Sequence, residues 1–259
     1  MVNLMSEDNR QSKKQILILV EGERREVELM EKLFEVYQIN ENKRIVSYKT
    51  NIYVLFNEMF TCSDDVENMD LLQVLKSREK DLEKKKLFDE KYTDILLVFD
   101  FDPQDKSFNP DNIMRMQEYF NESTYPGKLY LNYPMIEAFY HLSNIPDRDY
   151  NERSVTLQEL QEHLYKRRVP TESYRKNYSK FALSKNEYTT VLMQNLAKAY
   201  YLSEGEMVNW DKILSKAYYP DMQLILRKQL YFLSKDSLIY VLCTCVFYIV
   251  EYNPKLLMD

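Results

Sequence analysis

Two short runs constrain the fold more than anything else in the chain: QILILV at residues 15–20 and DILLVFD at residues 94–100. Each is almost continuously apolar and rich in Ile, Leu and Val, so neither offers a polar face to water. Strands of that kind are stable only when covered on both sides, as in a mainly parallel sheet with helices packed above and below. The stretch ERREVELMEKLFEVY supplies a first cover, because Val27, Met30, Leu33 and Phe34 recur at helical spacing with Glu and Arg opposite them. RIVSY near 44–48 predicts a second strand, IYVLFNEMF a helix, residues 109–121 a helix after the breaks at Pro103 and Pro110, and KLYLN at 128–132 a fourth strand. Pro134 sits where a further helix would begin, with MIEAFYHL continuing it.

Strand and helix alternate to about residue 142, and there the strands stop. Segments 157–166, 185–202, 209–217, 221–234 and 236–252 all carry helical periodicity. The expected architecture is therefore α/β, a mostly parallel sheet flanked by helices, followed by an α-helical C-terminal half. Residues 1–14 read as a flexible N-terminus, 15–145 as the α/β domain and 146–259 as the helical region, joined near 143–155. Residues 64–91, dense in charge and thin in apolar side chains, read as a solvated helical insertion.

The longest uncharged apolar stretch, residues 237–250, has 14 residues, against the roughly 20 that a bilayer-spanning helix needs. It reads as a buried helix, and no membrane association is expected. Three cysteines without a CxxC pair disfavour both a disulfide framework and a structural zinc, which points to a reducing cytoplasm. With only three glycines the chain contains neither GxGxxG nor GxxxxGK[ST], so it binds phosphate, if at all, without a P-loop or a dinucleotide fingerprint.

Acidic residues fall at the ends of the strands, where α/β sheets gather their ligands. Glu21 follows ILILV directly, while Asp100 and Asp102 end ILLVFDFD. Glu137 lies one turn into the segment after the fourth strand, and Glu26 lies in the first helix, so both can reach the same rim. Alternate residues of an extended segment project the same way, which lets the two aspartates of Asp-x-Asp share one hard cation. An all-oxygen donor set without His or Cys suits Mg²⁺, with Mn²⁺ able to substitute. Five like charges on one rim would repel unless cations lay among them. His141 reads as a packed core histidine, and Lys198 in NLAKAYYL as a surface lysine.

LILVEGERREVEL followed by LLVFDFDPQD resembles the Toprim domain, the α/β metal-binding module of topoisomerases, primases and several nucleases. NYPMIEAFYHL and NLAKAYYL are similar to segments of the Toprim nucleases of the OLD, RloB-like and AriB-type phage-defence families. The resemblance covers residues 15–142 and rests beyond them mainly on helical pattern. It implies a Toprim-like fold, with Glu21 catalytic or metal-binding and Asp100 and Asp102 as Mg²⁺ ligands. Glu26 matches a second acidic position and Glu137 the acid after the fourth strand. FDFDPQD departs from the pattern by offering Asp105 as a further acid. The implied reaction is phosphodiester hydrolysis with two metal ions about 3.5–4 Å apart and water as nucleophile.

A net charge of −6 and a pI near 5.3 argue against coating nucleic acid by bulk attraction. Locally the balance reverses: between residues 165 and 185 Lys166, Arg167, Arg168, Arg175, Lys176, Lys180 and Lys185 face Glu172 alone, interleaved with Tyr165, Tyr174, Tyr178 and Phe181. Cations alternating with rings suit RNA or single-strand contact. Lys176 or Lys180 is also a candidate for stabilising transition-state charge beside the metals. The function expected is thus a metal-dependent nuclease acting on RNA, tRNA included, or DNA, as an effector in phage defence. Resemblance further implies an ABC/AAA-type ATPase partner, since the chain has no ATP motif of its own, and a homodimer is a further expectation. The alternatives are a non-catalytic Toprim-like sensor or docking subunit, and an Asp-x-Asp glycosyltransferase or haloacid-dehalogenase-like phosphatase. The two Asp-x-Asp enzymes leave Glu21 unexplained.

Overall fold

The computed structural model describes residues 14–61, 70–215 and 218–258. Strand β1 (Gln15–Val20) leads through helix α1 (Arg25–Val36) to β2 (Asn42–Ser47). Helices α2 (Ile52–Phe60), α3 (Leu71–Arg78) and α4 (Leu82–Leu87) then return the chain to β3 (Asp94–Asp100). After α5 (Pro110–Tyr119) a two-residue strand β4 (Asn121–Glu122) turns back into β5 (Gly127–Asn132). These form one five-stranded sheet in the order β2-β1-β3-β5-β4, parallel throughout except for the edge strand β4.

The hydrophobic pattern explains the order. Ile16 to Val20 and the whole of β3 are buried, as central strands must be, and they pair side by side in register Ile18↔Leu96. From β1 the chain moves outward to β2, then crosses back over β1 to β3, so its direction of travel reverses between β1 and β3. Right-handed crossovers then place α1 on one face and α2 and α5 on the other. Accordingly α2 packs on α5, while α1 packs on a long helix from the second half of the chain, α8 below. Where that direction reverses, the carboxyl ends of β1 and β3 open a crevice that no crossover covers.

Residues 70–91 of the expected charged insertion supply α3 and α4, capped by Asp70 and Asp81; its residues 64–69 lie outside the described residues, as do residues 1–13 of the N-terminal segment. Three expectations are corrected. No helix begins at Pro134: Met135 is extended, and only a 3-10 turn, Ile136–Tyr140, follows. The carbonyl of Pro134 instead accepts the amides of Phe101 and Asp102. The 157–166 helix is two pieces, α6 (Leu157–Gln161) and the start of α7 (Tyr165–Glu172), with His163 at φ 56° between them.

The second half is also not purely helical. It contains β6 (Ser154–Thr156), α8 (Lys185–Glu204), α9 (Trp210–Ser215), α10 (Met222–Asp236), β7 (Leu238–Tyr240) and α11 (Tyr248–Tyr252). β6 and β7 pair antiparallel. Ser237, at φ 51°, ends α10, and the apolar run expected as a helix over 236–252 continues as β7 and then a buried extended segment. A run that is apolar on every side has no period to separate helix from strand. This segment docks on the main sheet: Leu242 bridges Tyr133, Thr244 Oγ1 donates to Leu131 O at 2.8 Å, and the Asn132 side chain accepts from Thr244 N at 3.2 Å. Among the described residues, no helix is long and apolar enough to cross a membrane.

Candidate metal centre

Glu21, Asp100 and Asp102 meet at the crevice between β1 and β3, with one carboxylate oxygen of each lying within 4.8 Å of the others. Each acid is set by backbone. The amide of Glu21 donates to Val98 O at 3.1 Å, extending the β1–β3 ladder by one residue. Its carboxylate accepts the amide of Asp100 at 3.1 Å. Asp100, only 5% exposed, accepts the amide of Ile136 at 2.8 Å and so is held by the turn after β5 as well as by its own strand.

Asp102 arrives differently from the expected alternation along an extended segment. The chain leaves β3 at Asp100, and Asp102 has a left-handed φ of 35°. Phe101 N bonds to both Asn132 O and Pro134 O at 3.0 Å, and Asp102 N bonds to Pro134 O at 3.1 Å. A turn anchored on Pro134 therefore brings Asp102 back to Asp100. Gln104 Nε2 donates to Asp102 Oδ1 at 3.0 Å. Asp105 has other work: it accepts Asn51 Nδ2 at 2.8 Å and the Ser107 amide at 2.7 Å, closing the loop.

Glu26 and Glu137 stand outside the group of three. Both are buried, and the charge of Glu137 acts on Glu26 and on Asp100. Glu26 folds against Gly22, where a Cβ would lie 2.6 Å from Glu26 Oε2, so any larger residue there must displace the end of the Glu26 side chain. Glu137, 1% exposed, pairs through Oε1 with Arg25, while its Oε2 is buried with no hydrogen-bond partner among the described residues.

Electrostatics set this corner apart. Burial first, and then the charge of Asp102, push Glu21 up to about 8. Burial and then Glu21 hold Asp100 well above the usual carboxylate range, and burial raises Asp102 despite its bond from Gln104. Each charge placed in this corner opposes the next, and a cation among the three acids would favour their ionised forms. The raised carboxyls, the orphaned Glu137 oxygen and an all-oxygen donor set together fit a hard divalent cation.

The cations nearest in effect are not the expected ones. Burial alone would lower Lys166, but Glu137, Asp100, Asp102 and Glu21 outweigh it and raise its pKa. Its charge in turn acts on Glu21, Glu26 and Asp102. Lys176 and Lys180 lie exposed in the surface turns Tyr174–Lys176 and Tyr178–Lys180. Within the basic segment Arg168 pairs with Glu159 and Arg175 with Glu187 at 2.7 Å, so neither is a free cation. Arg167 is exposed, and Lys185 is half-buried at the start of α8. Arg25, absent from the sequence-derived site, was signalled only by its place in ERRE directly after Glu21-Gly22.

His141 is the core histidine expected. Its ring bonds Tyr165 and Glu172, and burial lowers its pKa to about 4. Lys198 is not the expected surface lysine: it is 0% exposed, and Nζ donates to Tyr150 O and Arg153 O, both at 2.7 Å.

No protein-family model matches the chain, and no match was found among curated proteins or solved structures.

Proposed function

We propose that the chain is a Mg²⁺-dependent nuclease of the Toprim type, hydrolysing phosphodiester bonds of RNA or DNA, and that Mn²⁺ can replace Mg²⁺. The observation that carries this reading is the meeting of Glu21, Asp100 and Asp102 at the reversal point of the sheet, with all three carboxyls raised by burial. An acid trio that resists ionisation is unstable ground for a purely structural role and good ground for holding a divalent cation. When bound, such a cation supplies an acidified water and positive charge for a phosphodiester oxygen.

The chain's own residues would divide the remaining work. Glu21, Asp100 and Asp102 would hold the cation, with Glu137 Oε2 available as a further oxygen. Glu26 would brace the Gly22 turn behind Glu21. Lys166 would offset negative charge gathering on a phosphate in the crevice, the role first expected of Lys176 or Lys180. No side-chain nucleophile is required.

A glycosyltransferase or phosphatase built on Asp-x-Asp gives Glu21 no part, whereas here Glu21 is hydrogen-bonded to the Asp100 amide. A non-catalytic docking subunit has no use for three buried acids. The phage-defence role and ATPase partner belong to the proposal through the resemblance to Toprim defence nucleases, the cytoplasmic location through the cysteine usage, and the homodimer as a separate expectation.

The test is cleavage of tRNA, other RNA and plasmid DNA by the purified chain in Mg²⁺, Mn²⁺ or EDTA, alongside Asp100→Ala and Asp102→Ala. Metal-dependent cutting that both variants lose is the expected result. Cutting that persists in EDTA or in the variants overturns the assignment.

A further inference from the structure

A cavity of about 620 Å³ opens beside the metal centre, within the roughly 300–1,000 Å³ range of small-ligand pockets. One wall is the start of α1, with Arg24, Arg25 and Lys32 against the single acid Glu28; the other carries Tyr140, Tyr178 and Leu183. Arg25 belongs to both places. Its guanidinium pairs with Glu137 next to the acids and lies 4.9 Å over the ring of Tyr178. Tyr140 stacks on that same ring, with centroids 4.4 Å apart and planes 26° apart. The column Tyr140, Tyr178, Arg25 therefore lines the cavity with stacked planar groups, the Arg25 side chain as a whole still 44% exposed, against which a nucleobase can lie.

Polar demand points the same way. Tyr178 Oη is buried and has no hydrogen-bond partner among the described residues. Burial first, and then the charge of Glu137, raise it to about 12, so it stays a proton donor at neutral pH. Arg24 and Lys32 lie exposed or half-exposed at the opposite wall; each is engaged in a solvent-exposed ion pair, with Glu28 at 3.5 Å and Glu35 at 2.9 Å, weak enough for a phosphate to displace.

We infer that this cavity is a nucleotide subsite holding one unpaired base beside the scissile phosphate, which makes single-stranded or looped nucleic acid the preferred substrate over continuous duplex. The inference rests on the nuclease reading above. A base enters such a pocket only when unstacked from its partner, which a single strand allows at little cost.

The test uses a fluorescein-labelled 12-nucleotide single strand and its duplex, bound in Ca²⁺ and followed by anisotropy, with cleavage of each measured in Mg²⁺. Leu183→Glu and Arg24→Glu change the exposed rim and leave the acids untouched, and Mn²⁺ affinity checks that the metal centre survives in both. Single strand is expected to bind at least about tenfold tighter than duplex, and each variant to lose about tenfold on single strand, the size of one stacking contact, with Mn²⁺ affinity unchanged. A wild-type chain that cuts while both variants bind and cut single strand as it does overturns the subsite alone, as does equal binding of duplex. A wild-type chain that neither binds nor cuts either form overturns the nuclease reading together with the subsite.

Discussion

The amide of Asp100 donates to the carboxylate of Glu21 at 3.1 Å, so the acid that ends one central strand is aligned by the acid that ends its neighbour. Because β1 and β3 are paired in register up to Val20↔Val98, this alignment follows from the sheet itself. It also concentrates charge where burial resists it, which gives the corner a measurable pH signature.

Glu21 keeps its proton in the folded chain up to about pH 8, against about 4.5 for an unperturbed glutamate. Between those values the folded state holds more protons than the unfolded one, so stability falls as pH rises through the window. In EDTA the melting temperature should decline from about pH 4.5 to about pH 8, and Glu21→Gln should flatten the decline. Saturating Mg²⁺ should oppose it, because the ligands bind the cation deprotonated. Identical slopes in the wild-type chain and Glu21→Gln would refute the assignment.

Gly22→Ala should drive a methyl group into the Glu26 carboxylate. The expected loss is about 1 kcal/mol, the low end for overpacking because the end of the Glu26 side chain can swing aside, with weaker Mn²⁺ binding as that carboxylate moves. Adding Glu26→Ala removes the clash, so the double variant should recover most of that loss in urea melts. Additive losses would show that the glycine serves something other than this contact.

Lys166→Ala separates metal binding from turnover. Removing a cation that acts on the acids should tighten Mn²⁺ binding, while cleavage should slow about a hundredfold. Calorimetric Mn²⁺ titration and single-turnover cleavage read the two effects independently, and weaker Mn²⁺ binding with unchanged turnover would place Lys166 outside the chemistry.

Lys198→Met leaves the carbonyls of Tyr150 and Arg153 without their buried donor. Each orphaned group costs about 1–3 kcal/mol, so chemical denaturation should show a loss of about 2–4 kcal/mol with Mn²⁺ affinity retained. A loss below about 1 kcal/mol would mean that water replaces the amine.

How much of this was legible beforehand depended on whether the information was local. QILILV and DILLVFD declared their burial through composition alone, and the acids after them could be placed at one sheet rim by the general geometry of α/β folds. Asp102 was named for the wrong reason, since Asp-x-Asp alternation presumes a strand that in fact ends at Asp100. The turn that delivers Asp102 depends on a carbonyl at Pro134, thirty-two positions away in sequence. Lys198 looked like a surface residue because a lysine in an amphipathic helix usually is one; its carbonyl partners lie 45 and 48 residues earlier. Arg25 was hidden similarly, and Lys166 stood out in the sequence only as a nucleic-acid contact, since only the folded chain reveals which of the 35 basic residues acts on the acids.

The docking of residues 242–244 on Leu131, Asn132 and Tyr133 has a temporal consequence. That stretch flanks Pro134, whose carbonyl holds the amide of Asp102. During synthesis Glu21, Asp100 and Asp102 all leave the ribosome well over a hundred residues before Leu242 does. The acids therefore emerge long before the segment that buttresses their turn, and a nascent chain carries all three acids while their geometry still waits for its final support.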